Sequence, residues 1–204
     1  SCGLAFLAGF PTVKSAMEHK SMSSYIAHLM QKEIAPAIIS ENLTEKDAQD
    51  FSRKVLDRFR NPFIEHKWLS ITLQFSSKMK MRNVPVLIKH YEKFNTVPSY
   101  MALGFAAHLL FMKGEKKEDG KYYGHNYGKP YFIEDDNAAY YADKWKRFSA
   151  PLLVTEILRD KAFWGYDLTS LPGFAEAVKN YLQALMKQQP EEIFNNLPSL
   201  KETN

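Results

Sequence analysis

Three cations occupy alternate positions in "SSKMKMR": Lys78, Lys80 and Arg82. Directly before them, Trp68 to Ser77 carries no formal charge, in a chain of which 25% is charged. A lysine and an arginine so placed can hold an anionic or polyhydroxylated ligand, and the planar arginine fork can take a carboxylate through two parallel hydrogen bonds. Lysines at a helix end also occur simply to complement the helix dipole. Other chemistry finds less support. The six histidines, at 19, 28, 66, 90, 108 and 125, never pair at i, i+4, and no H-E-x-x-H occurs. His108, inside "FAAHLLF", reads as a hydrogen-bonded core histidine. The adjacent carboxylates Asp135 and Asp136 do not converge on one substrate, and Asp136 reads as the cap of a helix beginning near Asn137. No glycine-rich dinucleotide turn, Walker loop or G-x-S-x-G elbow is present, so these residues supply no recognisable nucleotide site.

The elements that must position the cations are helical. Asn61 and Pro62 read as N-cap and first residue of a helix running to about Ser77. On it Ile64, Trp68, Ile71 and Phe75 form one apolar face, with His66, Ser70, Leu73 and Ser77 opposite. A water-facing side normally carries Lys or Glu, so small neutral polar groups suit a helix lining a cleft; they equally suit two helices in close contact. Upstream, Ser23 or Ser24 caps a helix to residue 35, which Pro36 interrupts or kinks. Thr44 and Asp47 make a capping box before the stripe Ala48, Phe51, Val55, Leu56 and Phe59. Downstream, Pro85 opens a helix holding Val84, Leu87, Ile88 and Tyr91. Ser99 caps "YMALGFAAHLLFM", apolar almost all round and therefore buried. Residues 114 to 135, with Gly120, Gly124 and Gly128, read as a long irregular surface loop of turns and short extended pieces. Helices follow near 136–148, 151–162 and 173–188. The fold class is all-α, a single domain over residues 1–204 with eight to ten helices.

Composition sets the outer bounds. Apolar residues make up 45% and aromatics 14%, as in globular proteins with a substantial core. The net charge of +4 is scattered without a basic stripe, which argues against a nucleic-acid partner. No apolar run of about 18 residues is present, so no membrane helix is expected. The single cysteine, Cys2, excludes an internal disulfide and suits a reducing, cytoplasmic setting. The opening "SCGLAFLAGF" lacks a methionine and is already apolar, and it reads as a chain cut from something longer.

Together "VLDRFRNPFIEHKWLSITLQFSSKMKMRNVP", "AFLAGFPTVKSAM" and "FWGYDLTSLPGF" resemble the helical domain of the mannitol dehydrogenase family, the polyol-specific long-chain dehydrogenases. That resemblance implies a multi-helical C-terminal domain like that of 6-phosphogluconate dehydrogenase. It implies a partner N-terminal Rossmann domain that binds NAD, hydride transfer to a ketose-type carbonyl, and no metal. The family's catalytic lysine, with an asparagine and a histidine in an N-G-x-H turn, is expected a few residues before Ser1. This chain would then hold no catalytic residue and be inactive alone. Polyol members carry R-I-x-x-D-G-S-x-K, whose Arg and Lys meet substrate hydroxyls. Here the lysine is Lys78, the aspartate position is Gln74 and the arginine position is Ser70, a departure from mannitol-type binding. Members acting on uronates, above all those interconverting tagaturonate and altronate, are more similar, with a K-x-K-x-R run like Lys78, Lys80 and Arg82. The expected substrate is thus a hexuronate, with Lys78 on the sugar and Arg82 or Lys80 on its carboxylate. His66, Ser70 and Asn61 are further substrate-side candidates. A fructuronate or mannitol reductase, and a non-catalytic helical binding or scaffold protein, are the alternatives.

Overall fold

The computed structural model describes residues 1–61, 63, 65–187 and 192–193. In chain order the first helices are α1 (Cys2–Leu7), α2 (Val13–Glu18), α3 (Lys20–His28), α4 (Ala35–Ile38) and α5 (Glu45–Phe59). The segment of interest holds α6 (Trp68–Ile71) and α7 (Phe75–Lys78), followed by α8 (Val84–Phe94) and α9 (Ser99–Phe111). Strands β1 (Glu115–Lys116), β2 (Tyr122–Asn126) and β3 (Lys129–Phe132) precede α10 (Ala138–Arg147), α11 (Ala150–Leu158), α12 (Lys161–Trp164) and α13 (Phe174–Lys187). The fold is helical, as the sequence implies, with one small sheet that the sequence reading did not expect.

Helix α9 is the axis. Ten of its thirteen residues are buried, as expected of a segment apolar all round. Helices α1 and α13 pack against it, and Phe105 meets Trp164 and Phe174 at ring distances of 5.9 and 5.3 Å. Its amino end differs from expectation, because Ser99 is inside the helix. The cap is the buried Glu33, whose two oxygens accept from the N–H groups of Tyr100 and Met101 at 2.9 and 2.7 Å. A carboxylate is favoured there by the free N–H groups and the dipole. Burial outweighs those bonds and pushes its pKa up to about 7. His108 is fully buried against the Tyr141 hydroxyl, 2.9 Å away, as anticipated. Desolvation lowers its pKa to about 4.

The capping box of Thr44 and Asp47 forms as read. Phe51, placed on the core stripe, is instead 52% exposed, while Ser52 on the adjoining side is buried. Neither Ser23 nor Ser24 caps α3, which starts after His19. The helix then passes through a π-helical stretch, Leu29–Ile34, into α4, with Pro36 in the first turn. A proline there forgoes an N–H the new turn does not need. The helix read over 151–162 divides at Asp160, whose carboxylate accepts from the Phe163 N–H and starts α12.

The stretch read as an irregular loop forms a three-stranded antiparallel sheet in the order β1-β2-β3. Tyr127 and Gly128, both with positive φ, close β2 to β3 in a two-residue turn of the type that matches strand twist. Gly124 lies opposite Tyr131, where a side chain would strike the tyrosine ring.

Candidate functional site

The predicted single helix from Asn61 to Ser77 is broken, for two reasons. First, the chain at His66 to Trp68 pairs with the strand-like stretch before α2: Val13 N–H donates to the His66 carbonyl at 2.9 Å and Trp68 N–H to that of Pro11 at 3.2 Å. Backbone groups committed to that bridge cannot also be helical. Second, Gln74 adopts the left-handed conformation (φ 50°) that separates α6 from α7. Its N–H donates to the Glu134 carbonyl at 2.9 Å. Pro62 and Ile64 lie outside the described residues.

The sidedness read from the pattern survives the break. Trp68 and Phe75 are buried and Ile71 is half-buried, whereas His66, Ser70 and Leu73 are exposed and Ser77 is half-buried. Phe75 sets its ring edge-on to His108 and Phe111, at 4.5 and 5.5 Å. It sits so close to Gly3 of α1 that an added Cβ there would meet it at 3.0 Å. This wedge ties α7 to both α1 and α9.

Polar contacts fix the same turn from the other side. The residues after β3 reach back to it, and Asp135 accepts from Ser76 N–H at 2.7 Å, Ser76 Oγ at 2.5 Å and Asn137 N–H at 2.9 Å. Asn137 Nδ2 donates to Ser76 Oγ at 2.9 Å. Gln74 is held at both ends of its amide by Asp136, Nε2 donating to Oδ1 at 3.0 Å and Oε1 accepting from N–H at 3.3 Å. Asp136 therefore serves the turn and not, as read from sequence, as the cap of α10, whose N-cap is Asn137. Nothing in the local sequence signals these partners, which are about 60 residues apart.

Lys78 ends α7 half-buried, with Nζ donating to the Ile71 carbonyl at 2.8 Å. The ammonium thus rests on the open end of α6, one residue beyond Ser70, and keeps two N–H donors for other partners. From there the helix continues as a second π-helical stretch, Met79–Asn83, bearing Lys80 and Arg82, both exposed. Lys78 and Arg82, four apart, share one side, and Lys80 lies away from them. Among the described residues none of the three cations is paired with a carboxylate. Lys78 is thus brought beside Ser70, and Arg82 follows one turn further along the helix. Asn61, whose Oδ1 accepts from Phe63 N–H at 3.0 Å, and His66 make no hydrogen bond to them among the described residues.

A cavity of about 1200 Å³ elsewhere lies between β1, β2, α10 and the end of α13, and none of the six candidates lines it. Its lysines, including Lys116, Lys146 and Lys187, are exposed, and its carboxylates Glu115 and Asp143 are bound to Lys117 and Arg147. Size alone does not make this solvated trough the site. Among the described residues no three His, Cys, Asp or Glu side chains gather as a metal centre, and no helix is long and apolar enough to cross a membrane.

Residues 2–186 match the family model of the mannitol dehydrogenase C-terminal domain. The chain is 32% identical over 183 residues to an altronate oxidoreductase of Yersinia enterocolitica, covering 90% of this chain and 37% of that protein. It is 30% identical over 194 residues to one from Pectobacterium carotovorum, covering 91% and 38%. The chain thus spans rather more than a third of the length of these relatives. In fold it is similar to Pseudomonas fluorescens mannitol 2-dehydrogenase, solved as a ternary complex with NAD and D-mannitol (TM-score 0.77, 21% identity, 96% of this chain and 37% of that one). A family match across nearly its whole length places this chain in the mannitol dehydrogenase family, as a C-terminal domain.

Proposed function

We propose that residues 1–204 form the helical substrate-binding domain of a longer, NAD-dependent oxidoreductase that interconverts tagaturonate and altronate in the cytoplasm. The observation that carries this reading is Lys78 beside the uncharged, exposed Ser70 and Leu73, with Arg82 one turn further on and Lys80 exposed on another side, none of the three paired with an acid among the described residues. Unpaired cations beside neutral polar groups fit a polyhydroxylated ligand bearing one carboxylate better than a neutral ketose. The names of the curated relatives agree with that chemistry.

Lys78 donates to a substrate hydroxyl from its post on the Ile71 carbonyl, and Arg82 or Lys80 takes the carboxylate. Ser70 stands where polyol-type members carry an arginine, so this chain gives up one neutral-sugar contact and relies on the cations at the far end of α7. His66 and Asn61 lie at the margin of this surface. NAD would be held by a Rossmann domain outside this chain and would carry the hydride, given by NADH to the carbonyl or taken by NAD from the alcohol; the described strands form an antiparallel sheet without the strand–glycine turn–helix cradle that a dinucleotide pyrophosphate requires. This chain's part is binding and orientation, and a lysine-led acid–base group preceding Ser1 handles the proton at the carbonyl oxygen.

A fructuronate or mannitol reductase is the alternative, favoured by the fold similarity to mannitol 2-dehydrogenase. Steady-state reduction of tagaturonate, fructuronate and fructose by the full-length protein with NADH separates them. Clear preference for tagaturonate is expected, and preference for fructose defeats the uronate assignment.

A further inference from the structure

Lys78 is one end of a short mechanical chain whose other end is the segment after β3. Lys78 N–H donates to the Gln74 carbonyl at 3.1 Å and its Nζ to that of Ile71, so its position follows the turn at residues 72–76. That turn has little local reason to hold its shape, since it depends on a glutamine in the left-handed region, a conformation costly for residues with a Cβ. What fixes it is remote: Glu134 takes the Gln74 N–H, Asp136 clasps the Gln74 amide, and Asp135 takes both donors of Ser76. Ser76 is buried (1% exposed), so without Asp135 its N–H would lose its acceptor away from water. Asp135 also joins the start of α10 through Asn137, which closes the loop on Ser76 Oγ.

We propose that Asp135 is the positioning residue for Lys78, which makes the junction of β3 and α10 a working part of the sugar-acid site. It touches no substrate and acts by holding Ser76, and thereby the first turn of α7, where Lys78 reaches the ligand. This inference rests on the reading of Lys78 as a substrate contact.

The test uses the full-length protein with Asp135→Asn, Ser76→Ala and Lys78→Met, singly and as the Asp135→Asn/Lys78→Met pair. Asparagine keeps the shape but presents an N–H₂ where an acceptor is needed. KM for the sugar acid is expected to rise about tenfold or more in Asp135→Asn, and less in Ser76→Ala, while KM for NADH stays within about twofold, as small misplacements of a positioning group are costly. In the Lys78→Met background Asp135→Asn should add nothing, because there is no ammonium left to misplace. A sugar-acid KM within twofold of wild type, fully multiplicative effects in the pair, or a parallel rise in KM for NADH overturns the proposal. If Asp135→Asn fails to fold, the Ser76→Ala and Ser76→Ala/Lys78→Met pair decides by the same criteria. If Lys78→Met alone leaves sugar-acid KM unchanged, the substrate role of Lys78 has failed, and the inference falls with it; a large Lys78→Met effect with a neutral Asp135→Asn sinks the inference alone.

Discussion

Replacing Gly124 by alanine should be among the most damaging single-methyl changes in this protein. The Cβ would lie 2.3 Å from Tyr131 Cζ and 2.4 Å from its hydroxyl oxygen, well inside contact distance. The ring has nowhere to retreat: it is 6% exposed, meets Phe6 and Phe111 at 4.8 and 4.9 Å, and its hydroxyl donates to the Phe111 carbonyl at 2.7 Å. Overpacking of this kind costs roughly 1–3 kcal/mol. Loss of the tyrosine hydrogen bond adds about 1 kcal/mol. Reduced freedom of the unfolded chain returns about 0.4–1 kcal/mol, since φ at Gly124 is not positive. The net is a destabilisation of about 1–3.5 kcal/mol, or a fall in Tm on the order of 2–14 °C for a chain of this size. Urea denaturation of the wild type, Gly124→Ala, Tyr131→Leu and the double variant measures it. With the ring removed, the added methyl should be neutral or slightly stabilising. A Gly124→Ala stability within about 0.5 kcal/mol of wild type, or an undiminished cost in the Tyr131→Leu background, would refute this account of the β2–β3 pairing.

Asn95→Gly, at the left-handed C-cap of α8 (φ 49°), should stabilise by a few tenths to about 1 kcal/mol in the same denaturation assay, since glycine adopts that conformation without penalty. Glu33 and His108 should give opposing pH dependences. Glu33 holds its proton longer folded (about 7, against 4.5 unfolded), so its contribution falls as pH rises through that window, by roughly 3 kcal/mol. His108 binds its proton less readily folded (about 4, against 6.5), so its contribution is lost as pH falls below 6.5, by a similar amount. From this pair the wild type should be nearly flat between about pH 4.5 and 6.5, with Glu33→Gln rising and His108→Leu falling as pH increases; parallel profiles for all three would contradict both assignments.

Legibility followed the range of the interaction. The Thr44–Asp47 box and the buried α9 were readable because cap partners lie three residues apart and burial is written in composition. The break at Gln74 was not, because a glutamine in left-handed geometry is imposed by Glu134 and Asp136, about 60 residues away. The sheet hid for a related reason: its tight turn uses Tyr127–Gly128 in place of the usual Asn-Gly, and β1 is two residues long. Phe51 misled because helical periodicity names a side without saying whether a neighbour covers it. Of the candidate site, the cations and the open side were visible in spacing. The holding residues Asp135, Asp136 and Asn137 were visible only as two acids and an amide before a helix.

Recognition of a carboxylate by Lys80 or Arg82, just beyond α7, is central to the proposed function. It is tested most directly by kcat/KM of the full-length protein and its Lys80→Ala/Arg82→Ala variant on tagaturonate and on fructose. Loss of a charge-assisted contact of about 1.5–3 kcal/mol predicts a fall of roughly 10- to 150-fold for the uronate, with fructose turnover little changed. Equal losses on both sugars, or none on tagaturonate, would contradict it.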